Sequence, residues 1–338
     1  MAALLLAAST AGAPAAAPVL TPIEHRRTGD QTFLTFPEWF LVYSPDEYAS
    51  FVKDRPPSEF PFFGHLRQFW SSYWSVYQET RRDYPVNAEY HVMVAVIGSS
   101  TTVEYALRSA YENTLGRASE ATVAYGTTDE DRLAARVAQD YVDFIRDRPW
   151  YEFDFLTPLR TLWRETPAWG AGPLRKWERR YALTSEWVAK AGYAWLIGRG
   201  SQAAYGAAET TTAVVLDRLP EGIEGELPRL RVLERLPEGA VLATVPRYDV
   251  FKDHAAVVAR RGGAFVEVAG NRGPILVTAL VPSGWTPPVA GAAVVFTQPI
   301  LTRPGRQRLA VTVPVGALAE LLRVLEREGH ALEHVYDY

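Results

Sequence analysis

The spacing of apolar residues along the chain changes once. Before about residue 205 they recur every three to four positions, as on amphipathic helices; after about 230 they come in short β-branched runs. In the first part the spacing predicts a helix over 62–82, with Phe62, Leu66, Phe69, Trp70, Tyr73, Trp74 and Tyr77 on one aromatic face. Ser44, Pro45 and Glu47 read as a helix start, with Ser44 as N-cap and Glu47 closing a capping box. Thr128 caps a further helix whose face is Leu133, Val137, Tyr141, Phe144 and Ile145, ended by Pro149. Long helices are expected over 87–116 and 178–205. In the first of these, 91–97 is apolar nearly all round and is expected to be enclosed. Gly98, Ser99 and Ser100 follow as a small-residue patch where another helix can come close.

In the second part, strands are expected over 241–245, 265–268, 275–280, 292–297, 309–313 and 332–336, with helices over 250–261 and 315–328. Asn271, Arg272 and Gly273 have the chemistry of a hairpin turn. Two strand–helix–strand units then predict a ferredoxin-like sandwich, one antiparallel sheet with helices on one face. The expected fold is therefore α+β. It comprises an N-terminal arm over 1–29, an aromatic-rich helical bundle over 30–218 and a ferredoxin-like domain over 229–338, with the Pro/Gly-rich 219–228 as boundary. Nine of the ten tryptophans precede Gly200, which marks the same division. No internal repeat is visible.

Composition narrows the function classes. Hydrophobic residues at 48% and charged residues at 22% are ordinary for a globular chain. A net charge of -4 supplies no basic field, so nucleic acid is not an expected partner. The absence of cysteine removes disulfides, thiolate nucleophiles, cysteine zinc sites and iron–sulfur ligation. Cations are 31 Arg against 4 Lys, read as a coding bias. Residues 1–23 carry no charge and include an apolar run over 2–8, then Pro14, Pro18 and Pro22. Two readings stay open: the tail of an export signal or anchor behind a late start, or an Ala/Pro arm. The first would place the body in the periplasm or against a membrane. Beyond residue 23 no uncharged stretch approaches the roughly 20 residues of a spanning helix.

Candidate chemistry rests on two stripes. Glu104, Arg108 and Glu112 recur every four residues on one expected helix; Glu178, Glu186 and Lys190 share a face of another. Set opposite each other they would line a charged cavity, with Glu104, Glu112 and Glu186 as candidate acid/base groups and Arg108 and Lys190 as ligand-binding cations. Two solvated faces, or a salt-bridge network that only fixes register, fit the same spacing. The aromatic face would alternatively line a lipid or quinone pocket, or simply form core. His91 is the one candidate haem or ligand-binding histidine, and a core histidine fits as well. The six histidines make no metal-binding spacing, so no metal and no cofactor is expected. Gly198 to Ala203 spell G-x-G-x-x-A after a helix rather than a strand, which reads as chance or a helix break.

The segments Thr35-Phe36-Pro37-Glu38-Trp39, Val96-Ile97-Gly98-Ser99-Ser100-Thr101-Thr102-Val103-Glu104-Tyr105 and Ala110-Tyr111-Glu112-Asn113-Thr114-Leu115-Gly116-Arg117 resemble an uncharacterised family of bacterial hypothetical proteins. Arg175-Lys176-Trp177-Glu178-Arg179-Arg180 resembles the same group. The resemblance implies that both halves belong to one unit and that a hydrophobic segment opens the chain. It implies no activity, cofactor or catalytic residue. The expectation is a non-enzymatic, membrane-associated or envelope-side binding or assembly protein, whose partner is a membrane surface or another protein. The alternative is an enzyme or small-molecule or lipid binder using a carboxylate-lined cavity in the bundle.

Overall fold

The computed structural model describes residues 18–28, 30–123, 127–204 and 210–337. The expected anchor or signal segment falls largely on 1–17, outside the described residues. The helices of the first part are α1 (Gln31–Leu34), α2 (Phe36–Phe51), α3 (Phe62–Asp83), α4 (Ala88–Tyr111), α5 (Arg117–Glu120), α6 (Asp129–Ile145), α7 (Leu156–Arg164) and α8 (Pro173–Ala204). Then come β1 (Thr211–Leu216), α9 (Ile223–Glu226), β2 (Arg231–Arg235), β3 (Val241–Pro246), α10 (Asp249–Arg260) and β4 (Phe265–Val268). The chain ends with β5 (Pro274–Pro282), β6 (Ala293–Pro299), β7 (Arg306–Pro314), α11 (Leu318–Arg327) and β8 (Ala331–Val335). The fold is α+β.

The strands form two four-stranded antiparallel sheets rather than the expected one. Their orders are β2-β3-β1-β4 and β6-β7-β5-β8. Each sheet is thus second–third–first–fourth in chain order, a structural repeat that the sequence does not display. β1 precedes the 219–228 segment, so that segment runs inside the first sheet's connections instead of between helices and strands. The expected hairpin at 271–273 is also different. Ala269 and Gly270 take positive φ, Asn271 bridges back to Val268, and the chain then crosses to the other sheet.

One core joins the inner faces of both sheets through α10 and α11, from Val214 and Val241 to Val277 and Val311, with Phe251, Leu321 and Leu325 between. The opposite face of the second sheet packs on the helical part. Leu276, Ala310 and Tyr336 join Phe33, Phe36, Phe40, Phe69 and Val94 in a second core, and the Phe36 and Phe296 rings meet edge-on at 4.8 Å. Pro18 to Arg27 lies along the first sheet, where the buried Glu267 carboxylate accepts from the backbone N–H groups of Leu20 and Thr21 at 2.8 Å.

Ser44-Pro45 does not start a helix. α2 runs from Phe36 to Phe51 with Pro45 inside it. Tertiary contacts override the local signal, because Phe36, Trp39, Phe40 and Tyr43 must continue in register to reach the second sheet. Ser44 and Glu47 serve buried partners instead of capping. α8 passes unbroken through Gly198, so the G-x-G-x-x-A string is neither a helix break nor a strand-to-helix turn.

Candidate functional site

Asn87 caps α4 by accepting from the Tyr90 N–H at 3.1 Å, and the helix then runs to Tyr111. Here the structure departs from the expected enclosure of 91–97. Val92 and Val96 are 64% and 57% exposed, and Val103 and Leu107 continue the same stripe at 60% and 66%. Only the opposite side of α4 is packed: α3 closes on Gly98, where a Cβ would meet Phe69 and Trp70 within 3 Å. The close approach expected at 98–100 is therefore present at Gly98, while Ser99 and Ser100 face outward. The aromatic face of α3 divides in the same way. Phe62, Leu66 and Phe69 are core, whereas Trp70 and Trp74 are exposed.

The two charged stripes do meet, and their charges pair off. Lys190 Nζ lies 3.1 Å from Glu104 and 2.8 Å from Glu186; Arg108 lies 3.6 Å from Glu104 and 3.7 Å from Glu186. Beneath them the Arg108 guanidinium sits over the Tyr48 ring at 4.4 Å, and Lys190 over Tyr141 at 5.7 Å. Burial pushes the Glu186 carboxyl up, but Arg108 and Lys190 together outweigh it and hold it at about 2. Burial raises the Tyr141 hydroxyl to about 12. Glu186 is thus held as a carboxylate between two cations. Neither it nor the Tyr141 hydroxyl is poised near 7, as general acid–base work requires. Glu104 is 40% exposed, so Glu104→Gln is expected to cost less than about 1 kcal/mol in a urea denaturation series.

Glu112 and Glu178 leave this quartet. A π-turn over Glu112–Gly116 follows α4, and Glu112 accepts both Arg179 Nη atoms at 3.0 Å. Gly116 is needed there, since a Cβ would fall 2.4 Å from Glu112 Oε2. The first turns of α8 then bury four cations: Arg175, Lys176, Arg179 and Arg180. Arg175 donates to Asp131, Glu178, Ser119 and the Gly116 carbonyl. Lys176 and Arg180 share Glu130, each at 3.0 Å. Asp131 also closes the capping box with Thr128. No buried side-chain atom of this cationic row lacks a partner. Of 175–180, the sequence placed only Glu178 in a charged stripe, and the four cations were read only as part of a resemblance. The available signal was the acidic run 129–131 behind a cap, matching four cations in one helical turn and a half.

His91 stands apart, with its Nδ1 2.9 Å from the Tyr73 hydroxyl and its ring against Tyr77. Among the described residues no group of three His, Asp or Glu is placed to hold a metal ion.

A further constellation escaped the sequence altogether. Ser44 Oγ lies 2.9 Å from His65 Nδ1, and His65 Nε2 lies 3.6 Å from Glu47. The residue types are those of a nucleophile, base and acid, but the site is sealed. Ser44 and His65 are buried, Tyr105 bonds the same hydroxyl at 2.7 Å, and Phe60 stacks on the imidazole at 4.6 Å. Burial, with Arg308 nearby, lowers His65 to about 3, so it stays neutral. A reacting group has no way to reach the serine, and the arrangement joins α2, α3 and α4 as a polar core.

No helix among the described residues is long and apolar enough to cross a membrane. No family model, no curated protein and no solved structure matches the chain.

Proposed function

We propose that the protein is a non-enzymatic binding or assembly protein whose working surface is the apolar outer face of its helical part. One observation carries this reading. The eight exposed positions of α4 between Val92 and Ala110 are all Val, Ala, Ser or Leu. Exposed Tyr181, Val188, Trp195 and Leu196 extend the apolar character along α8. Monomeric proteins rarely expose contiguous apolar patches beyond a few hundred Å². A membrane-associated or envelope-side setting would suit such a face, with a lipid surface or a protein covering it. The segment 96–105 that carries the family resemblance lies on this helix, so the same face would mark the family. For the second part we infer a tandem of ferredoxin-like units. Its support is the shared second–third–first–fourth order, with α9 and α10 as crossovers in the first unit and α11 in the second. A rigid double sandwich of this kind would serve as the platform that holds the helical face.

The test is native mass spectrometry and fractionation of gently extracted full-length protein beside a Val92→Gln/Leu107→Gln variant. The expected result is a complex or particulate association that the variant loses while its fold is retained. Unchanged association, together with a small molecule displaced by Glu104→Gln, would overturn the reading in favour of a carboxylate-lined ligand site.

A further inference from the structure

Resting on the reading of this face as the working surface, we infer that its occupant is a second copy of the chain, bound about a two-fold axis passing between Ser99 and Ser100 of α4. The four large exposed apolar residues of α4 are placed symmetrically about that point. Val96 and Val103 lie at equal distances on either side, and so do Val92 and Leu107. In an isologous interface residue i meets j while j meets i. Antiparallel α4 helices crossing at Ser99 and Ser100 therefore set Val96 against Val103 of the second copy, and Val92 against Leu107. These four large apolar side chains each gain an apolar partner, and the two serines at the crossing keep the backbones close.

Area and charge select this occupant. Val92, Val96, Val103 and Leu107 with Tyr181, Val188, Trp195 and Leu196 are all more than half exposed. Together they present an area on the order of the roughly 800 Å² per partner that a stable interface buries. α4 and α8 are neighbours on this side, since the Tyr111 and Tyr181 rings stack at 6.4 Å and the ion quartet bridges the two helices. Of the cations beside the face, Arg108 and Lys190 are held by carboxylates of their own chain, and the Arg199 guanidinium lies over the Trp195 ring at 4.3 Å. Two α4 stripes meet without like-charge repulsion. A lipid-binding helix instead sets free basic residues around its apolar stripe. The eight exposed positions of α4 between Val92 and Ala110 include none.

The experiment uses the full chain in sedimentation equilibrium and in mild oxidative crosslinking. A dimer is expected, and Val103→Glu should weaken it at least a hundredfold. Positions 96 and 103 lie two turns apart on one helix, so opposite charges there pair between copies and not within one. Val96→Glu/Val103→Arg should consequently restore the dimer that Val103→Glu loses. The chain has no cysteine, so a single introduced thiol reports its own neighbours. Ser99→Cys should crosslink two copies. Val92→Cys should not, because two copies of position 92 lie on opposite sides of the axis. A monomer at every concentration, a dimer indifferent to Val103→Glu, or crosslinking by Val92→Cys in preference to Ser99→Cys would overturn the proposal. A monomer that instead binds phosphatidylcholine vesicles through this face would overturn the dimer and leave the working surface standing. A monomer whose Val103→Glu variant changes no binding at all would remove both.

Discussion

Glu130→Gln is expected to lower the unfolding free energy by about 3–5 kcal/mol, among the largest single-residue effects in the helical part. Glu130 is fully buried and divides its two oxygens between Lys176 and Arg180. Arg180 is itself 1% exposed and spends its other nitrogens on the Leu162 and Thr166 carbonyls. Glutamine keeps the shape but removes the charge, and it turns one acceptor into a donor aimed at a cation. Lys176 then keeps only Asp129 and the Pro167 carbonyl, and Arg180 keeps only neutral oxygens. Breaking a buried pair from one side costs far more than the intact pair contributes, because the remaining charge has already lost its water. Chemical denaturation of the variant beside the parent checks this, and a loss under about 1 kcal/mol would show that solvent reaches the site. The same logic separates this network from the Glu104 quartet, where water screens the pairs.

That contrast shows what the sequence makes legible. The cap at Thr128, the start of α4 near Asn87 and the period of α3 were readable, because they depend on neighbours within one turn. The strand runs were readable for a similar reason, as short β-branched segments between turns. Partnership was not. β1 follows α8 after a short segment, and β2, Arg231–Arg235, is largely exposed and too polar to announce itself. Which strands share a sheet depends on pairings such as Val277 with Val335, far apart in the chain, and no local pattern encodes it.

The candidate site was half legible for a related reason. Four-residue spacing put Glu104 and Arg108 on one face and Glu186 and Lys190 on another, and these do meet. Spacing alone gave no reason for Glu112 to leave them, since the π-turn that follows α4 is a tertiary accommodation to Arg179. The enclosure expected for 91–97 rested on reading an apolar segment as a buried one. An interface between molecules satisfies that rule equally well, and the exposed valines of α4 are the result.

Arg308→Met is expected to cost a further amount of the same order, and its cost should depend on pH. Arg308 is buried where α2 meets the second sheet; it binds Glu333 at 2.6 Å and Glu47 at 3.1 Å, with the Tyr43 ring 4.6 Å beneath it. Burial already raises the Glu47 carboxyl, against the pull of Arg308, and Glu333 adds to the rise. Without the arginine Glu47 faces Glu333 with no cation between them, and its proton affinity climbs further. A carboxyl whose pKa is raised by folding favours the native state while protonated, and that contribution is lost as pH rises through the folded value. The variant should accordingly approach the parent in stability at acid pH and fall behind by about 3–5 kcal/mol at alkaline pH, where the buried Glu47 carboxylate has lost its cation. Urea denaturation at several pH values between these limits measures the difference directly. A gap that stays constant across the range would mean that Arg308 acts through packing on Tyr43, and that the junction between the helices and the second sheet is held by its apolar core alone.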